Sequence, residues 1–184
     1  MRLIRTIAAL AAAAVLAGPL AAPAPAVAAP VAGIGGIDWS KAQPTPPSKR
    51  VIEVVDKISP REWRVSTAVN WLDRYTASDM RLVSRCSGKA YRCITVRQGR
   101  VGKWRSGAVG WSKNSTITID TGKAKNSTYK RWYRYDSKRT WLLIHELAHQ
   151  HGLGHSSGRN LMNPAVNRYK LVLTSSQKAH LRKR

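Results

Sequence analysis

The chain has 184 residues, enough for one domain with a hydrophobic core and little more. Its 32 basic residues against 9 acidic ones give a formal net charge of +23, a field that draws polyanions and leaves too few carboxylates to assert calcium sites. That field fits nucleic acids, anionic cell-wall polymers, acidic proteins or membrane surfaces equally well, as it fits a merely soluble basic surface.

The first 28 residues have the three parts of a secretory signal peptide. Arg2 and Arg5 form a basic start, Ile7 to Leu20 an apolar stretch, and Ala26-Val27-Ala28 a small-x-small cleavage site. Gly18, Pro19, Pro23 and Pro25 break the apolar run, against a membrane anchor, and no later segment is long and apolar enough to cross a bilayer. The mature protein is therefore expected to be secreted and extracellular. Residues 29–49, rich in Gly, Ala and Pro, read as a flexible leader open to trimming. A single domain is expected over residues 50–184.

Val51-Ile52-Glu53-Val54-Val55 is a β-branched run that suits a buried strand. Ser59, Pro60 and Glu62 match a capping box that opens an amphipathic helix carrying Trp63, Val65, Ala68, Val69, Trp71 and Leu72 to about Thr76. Met80–Ser84 and Arg92–Arg97 look like two strands of a hairpin closed by a Cys86–Cys93 disulfide, the default for two close cysteines in an oxidising compartment. Ser115–Asp120 alternates, Ile117 and Ile119 on one face and Thr116, Thr118 and Asp120 on the other, as a half-exposed strand does. Asn114-Ser115-Thr116 and Asn126-Ser127-Thr128 fit the N-glycosylation pattern, which on its own is weak. Asp136 or Ser137 can cap a buried helix through Trp141, Leu142, Leu143, Ile144, Leu147 and Ala148, ending at Gly152. A last short helix starts near Thr174 or Ser175 and carries Ala179, His180 and Leu181.

The chemistry lies in His145-Glu146-Leu147-Ala148-His149-Gln150-His151-Gly152-Leu153-Gly154-His155. Residues four apart share a helix face, so His145 and His149 can point two imidazoles at one metal ion. Glu146, one step round, reaches a water in place of the metal. Gly152 can take the left-handed conformation that stops the helix. The chain then returns with His155 as third ligand, leaving a fourth position open, as a catalytic zinc site requires. His151 falls outside the spacing and is placed at the surface, in preference to a position behind the ligands.

This H-E-x-x-H-x-x-G-x-x-H stretch resembles the metzincin signature, which is paired with a downstream methionine turn. Asn160-Leu161-Met162-Asn163-Pro164 follows His155 closely, and its spacing and Leu-Met-x-Pro sequence are most similar to the matrixin-like branch. The resemblance implies an α+β, metzincin-like single domain. A mixed sheet with two main helices forms an upper subdomain (50–152), and a small lower subdomain (153–184) ends in a helix. It further implies a zinc endopeptidase with one catalytic Zn2+ held by His145, His149 and His155. Glu146 is then the general base, Met162 the residue beneath the metal and Pro164 a wall of the specificity pocket. An extended protein or peptide substrate would pair with an edge strand, expected at Ser115–Asp120, and the protein would act as a monomer. Pro164, two residues after Met162, stands where astacin-like and serralysin-like members have a tyrosine ligand. A leader without cysteine excludes a cysteine switch, and His180 alone cannot build a second histidine zinc site. Two other readings keep the same scaffold: a secreted polyanion- or cell-wall-binding protein, and a hydrolase of a non-protein amide. Assistance from Tyr169 at the oxyanion is left open.

Overall fold

The computed structural model describes residue 46 and residues 49–58, 62–100, 108–125, 130–165 and 170–182. The signal and leader, Ser59-Pro60, the second glycosylation pattern and Tyr169 fall outside the described residues, apart from parts of the leader's end.

Among the described residues five strands form one mixed sheet: β1 (Val51–Lys57), β2 (Asp79–Val83), β3 (Arg92–Gln98), β4 (Gly110–Lys113) and β5 (Thr116–Ile119). Their order is β2-β1-β3-β5-β4; β4 is antiparallel to β5, and all other pairs are parallel. Among the described residues five helices accompany it: α1 (Val65–Asp73), α2 (Thr121–Lys125), α3 (Lys130–Tyr133), α4 (Asp136–Gln150) and α5 (Ser175–Leu181). The α+β architecture expected from the sequence is present. Contacts run between α1 and α4, between α1 and β2, and between α4 and β4.

The register explains the core. Val54 stands beside Ile94, Val96 beside Ile117, and Ile52, Val54, Ile94, Val96, Ile117 and Ile119 are all fully buried. This apolar stripe crosses the sheet and meets Leu72 of α1 and Leu143, Ile144 and Leu147 of α4 in one cluster. Strands covered on both faces need such apolar runs, which is why β1 reads as an almost unbroken one.

Four expectations need correction. The first helix starts at Val65, not at Pro60, and its N-cap is Arg64 with no side-chain cap. Trp63 is buried against Tyr133, ring centroids 6.2 Å apart, from a bend closed by Val65 N–H on the Trp63 carbonyl at 2.8 Å. Seating that indole holds residues 62–64 out of the helix. Likewise Tyr135, and neither Asp136 nor Ser137, is the N-cap of α4.

The strands on either side of Cys86 do not form a hairpin. Both run parallel to β1, one on each side, and residues 84–91 cross over β1 between them. The Ser87 amide donates to Glu53 Oε2 at 2.7 Å, and the Tyr91 amide to the Val51 carbonyl at 3.0 Å. Cys86 and Cys93 do form the disulfide, with Cys93 next to Glu53 in the ladder, so it fixes the crossing segment to β3.

Ser115–Asp120 is not an edge strand. Its strand, β5, lies between β3 and β4, and the edges are β2 and β4. The two-residue turn joining β4 to β5 has Asn114 at φ 46° and Ser115 at φ 56°. Two positive φ values are what a tight hairpin with the strand's own twist demands, and Asn tolerates that conformation well.

Candidate metal centre and active site

Helix α4 carries His145, Glu146 and His149, all buried. It ends at Gln150 with His151 as its C-cap, and Gly152 takes φ 78°, the left-handed turn that its position suggested. The chain then comes back and sets His155 beside the helix. Nε2 of His149 lies 3.0 Å from Nε2 of His145, which lies 3.2 Å from Nε2 of His155. These separations are close to the roughly 3.3 Å kept by nitrogens bound 2.0–2.1 Å from a tetrahedral zinc.

The far side of each helical ring is fixed. Nδ1 of His145 donates to the Leu161 carbonyl at 2.9 Å, and Nδ1 of His149 to the Leu153 carbonyl at 2.7 Å. A carbonyl only accepts, so each Nδ1 carries the proton and each Nε2 offers its lone pair to the shared space. Burial pushes His145 down to about 4 and His155 down to about 3, the latter helped by the charge of His145, and holds His149 well below its usual value. Neutral rings with converging lone pairs are good ligands and poor neighbours for one another, so a cation fits this space.

Among the described residues this is the one trio of His, Cys, Asp or Glu side chains able to hold a metal ion, and Glu146 is outside it. Its carboxylate is buried with neither oxygen hydrogen-bonded among the described residues, and burial alone pushes it up to about 8. A buried, unpartnered carboxylate next to a ligand trio suits proton transfer better than structural support.

The methionine turn is built as a support. Met162 is fully buried, and the Leu161 carbonyl accepts from Trp141 Nε1 at 3.1 Å as well as from His145. Asn160 holds the turn from within: its Oδ1 accepts from the Met162 amide at 2.9 Å, Ser156 Oγ at 2.8 Å and Gln177 Nε2 at 3.1 Å. Gln177 belongs to α5, whose N-cap Thr174 completes a capping box with it. Pro164 follows, half-buried, at the end of this segment. His180 is on α5, outside the histidine cluster.

His151 is not at the surface. It is buried, with Nδ1 donating to the Leu147 carbonyl at 3.1 Å and Nε2 3.4 Å from Ser78 Oγ. Its place at the end of α4, against the segment leading into β2, gives it structural partners. The sequence reading also missed Gln150, fully buried and donating to Ser112 Oγ of β4, and Arg92, which donates to the last helical carbonyl, that of Gln150.

No protein-family model matches the chain, and no curated protein does. Solved structures similar to the chain include the following two. Archaemetzincin from Archaeoglobus fulgidus, crystallised with malonate, is 14% identical with a TM-score of 0.48, over 71% of this chain and 99% of that one. Myroilysin is 17% identical with a TM-score of 0.42 over 70% of this chain, which spans 57% of the myroilysin chain. At this level of likeness the site's own geometry has to carry the functional reading.

Proposed function

We propose that this protein is a secreted zinc-dependent endopeptidase of the metzincin kind, closest to the matrixin-like branch. The convergence of three Nε2 lone pairs beside the unpartnered carboxylate of Glu146 carries the reading. His145, His149 and His155 would hold one zinc ion, and the Leu161 and Leu153 carbonyls would keep the two helical rings aimed at it. Zinc bound there supplies Lewis-acid polarisation of the scissile carbonyl and lowers the pKa of water toward about 7. Glu146 takes the proton of the attacking water and returns it to the leaving amine. Burial raises this carboxyl, and a cation held by the three histidines would offset that rise, so that Glu146 would serve as a base near neutral pH.

An extended substrate has a strand at the sheet's edge near the site, β4, among the described residues. Edge strand β4 runs along α4, and a peptide laid against it gains backbone hydrogen bonds as an added strand. Pro164 is assigned to the pocket wall. The signal-like N-terminus and the Cys86–Cys93 disulfide support secretion. The basic surface is suited to an anionic surface or polymer that concentrates the enzyme near its substrate. No described helix is long and apolar enough to cross a membrane.

The test is digestion of a proteome-derived peptide library by the purified mature chain, with and without a chelator. One zinc per chain and chelator-sensitive cleavage are expected. Glu146→Ala should retain the zinc and lose about 10²–10⁴-fold in kcat. Retained cleavage in Glu146→Ala overturns the mechanism. A zinc-loaded chain that cleaves no peptide but binds an anionic polymer in a salt-sensitive way favours the binding-protein reading instead.

A further inference from the structure

We infer that Gly110 is a positioning residue for Glu146, kept side-chain-free so that the backbone of β4 closes against the carboxylate. The apolar stripe of the sheet changes character at its β4 end. Gly110 stands opposite Ile119 and Ser112 opposite Ile117, on the same face as those buried isoleucines. Where the stripe would continue with two more apolar side chains, the strand has a glycine and a serine.

Helix α4 explains both. Residues 146 and 150 are one turn apart, about 6 Å along a helix axis, and residues 110 and 112 are about 6.8 Å apart along a strand. The two spacings match, so strand and helix meet at two points in register. At one, Gln150 Nε2 donates to Ser112 Oγ. At the other, a Cβ on Gly110 would lie 2.5 Å from Glu146 Oε1 and 3.0 Å from its Cδ and Cγ. Gly110 does not have a positive φ, so conformation does not demand a glycine there. Space does. Gly110 opens the strand, and close approach of another group is a common reason for a glycine in a sheet.

The Gln150–Ser112 hydrogen bond holds β4 at its distance from α4, so a methyl group at residue 110 has one group to displace, the Glu146 carboxylate. The protein thus sets the position of its general base from behind, with backbone, while neither carboxylate oxygen is held by a hydrogen bond among the described residues. A carboxylate with no room behind it keeps its place. The catalytic part of this inference rests on the peptidase reading; the contact itself does not.

The experiment compares the mature chain with Gly110→Ala, Glu146→Asp and the double variant, each with and without zinc. Aspartate is one methylene shorter and withdraws from the methyl. Gly110→Ala should lower Tm by about 5–10 °C when Glu146 is present and by less than half of that in the Glu146→Asp background, in the zinc-free chain as in the loaded one. If the chain is a peptidase, Gly110→Ala also lowers kcat about 100-fold with KM within about two-fold and zinc content unchanged, as expected for a base moved by about 1 Å. Equal Tm losses in both backgrounds overturn the proposal, as does an unchanged kcat in an active enzyme. Should Gly110→Ala fail to fold, recovery of folding in the double variant supports the contact, and failure of both overturns it. A chain that binds no zinc and cleaves nothing removes the peptidase reading while the Tm comparison still decides the contact.

Discussion

The two parts of the chain that meet at the histidines share one apolar core, which Leu161, Met162, Leu173 and Leu181 join, but they shape their local structure differently. From Val51 to Gln150 the structure relies on apolar burial: three parallel strands and two helices share one stripe of Ile, Val and Leu. From Leu153 onward regular structure is scarce. The loop that brings His155 back, and the turn beneath the site, take their shape from side-chain hydrogen bonds centred on Asn160, Ser156 and Gln177. Two of the three candidate ligands are therefore placed by helix pitch, and the third follows on the loop that the polar network shapes. The first arrangement is insensitive to any one hydrogen bond, and the second depends on a few.

Three substitutions bear on this contrast. Leu143→Ala empties part of the fully buried core between α4 and the sheet and should lower stability by about 2–5 kcal/mol in denaturant unfolding, with the metal site intact in the molecules that remain folded. Asn160→Ala leaves the Met162 amide and Gln177 without their shared acceptor and should lower stability by about 1–3 kcal/mol. Its distinguishing mark is faster hydrogen exchange confined to residues 153–182 and weaker zinc binding measured against a competing chelator. Uniform loss of protection across the sheet would erase the contrast.

The smallest effect concerns Glu53. Hydrogen bonds from Ser87, of the segment crossing β1, hold its carboxyl below the usual value, against burial and with some help from Arg81. A depressed folded-state pKa stabilises the fold above the unfolded pKa of about 4.3, and that contribution disappears as pH falls through the folded value. Glu53→Gln should flatten the fall in stability between about pH 5 and pH 3, read from Tm across that range. A slope identical to that of the unchanged protein would mean the crossing segment is held without this carboxylate.

What the sequence disclosed follows the same division. The helix that carries His145 and His149, the stop at Gly152, the alternation of Ile117 and Ile119, and the last helix near Thr174 are local patterns, readable from spacing alone. Pairing partners are not local. Two strand-like segments flanking Cys86 and Cys93 suggest a hairpin, and only the third strand between them shows otherwise. Ser115–Asp120 alternates as expected, with Thr116 and Thr118 partly exposed, but its alternation says nothing of its edge, which β4 covers. β4 itself went unread, being four residues long and starting with a glycine. His151 looked peripheral since its spacing excludes it from the trio, and its burial comes from residues near Ser78, far away in the chain.

Strand β1 opens the described domain yet lies inside the sheet, and both of its neighbours are supplied later in the chain. Until β3 arrives, the apolar Val51–Val55 run has an open edge, the kind that recruits strands from other molecules. The segment crossing it, fixed to β3 by the Cys86–Cys93 bond, keeps that edge shut once β3 is seated. Seen this way, the disulfide guards an inner strand of the sheet against pairing with other molecules once the fold is complete, at a distance from the histidines.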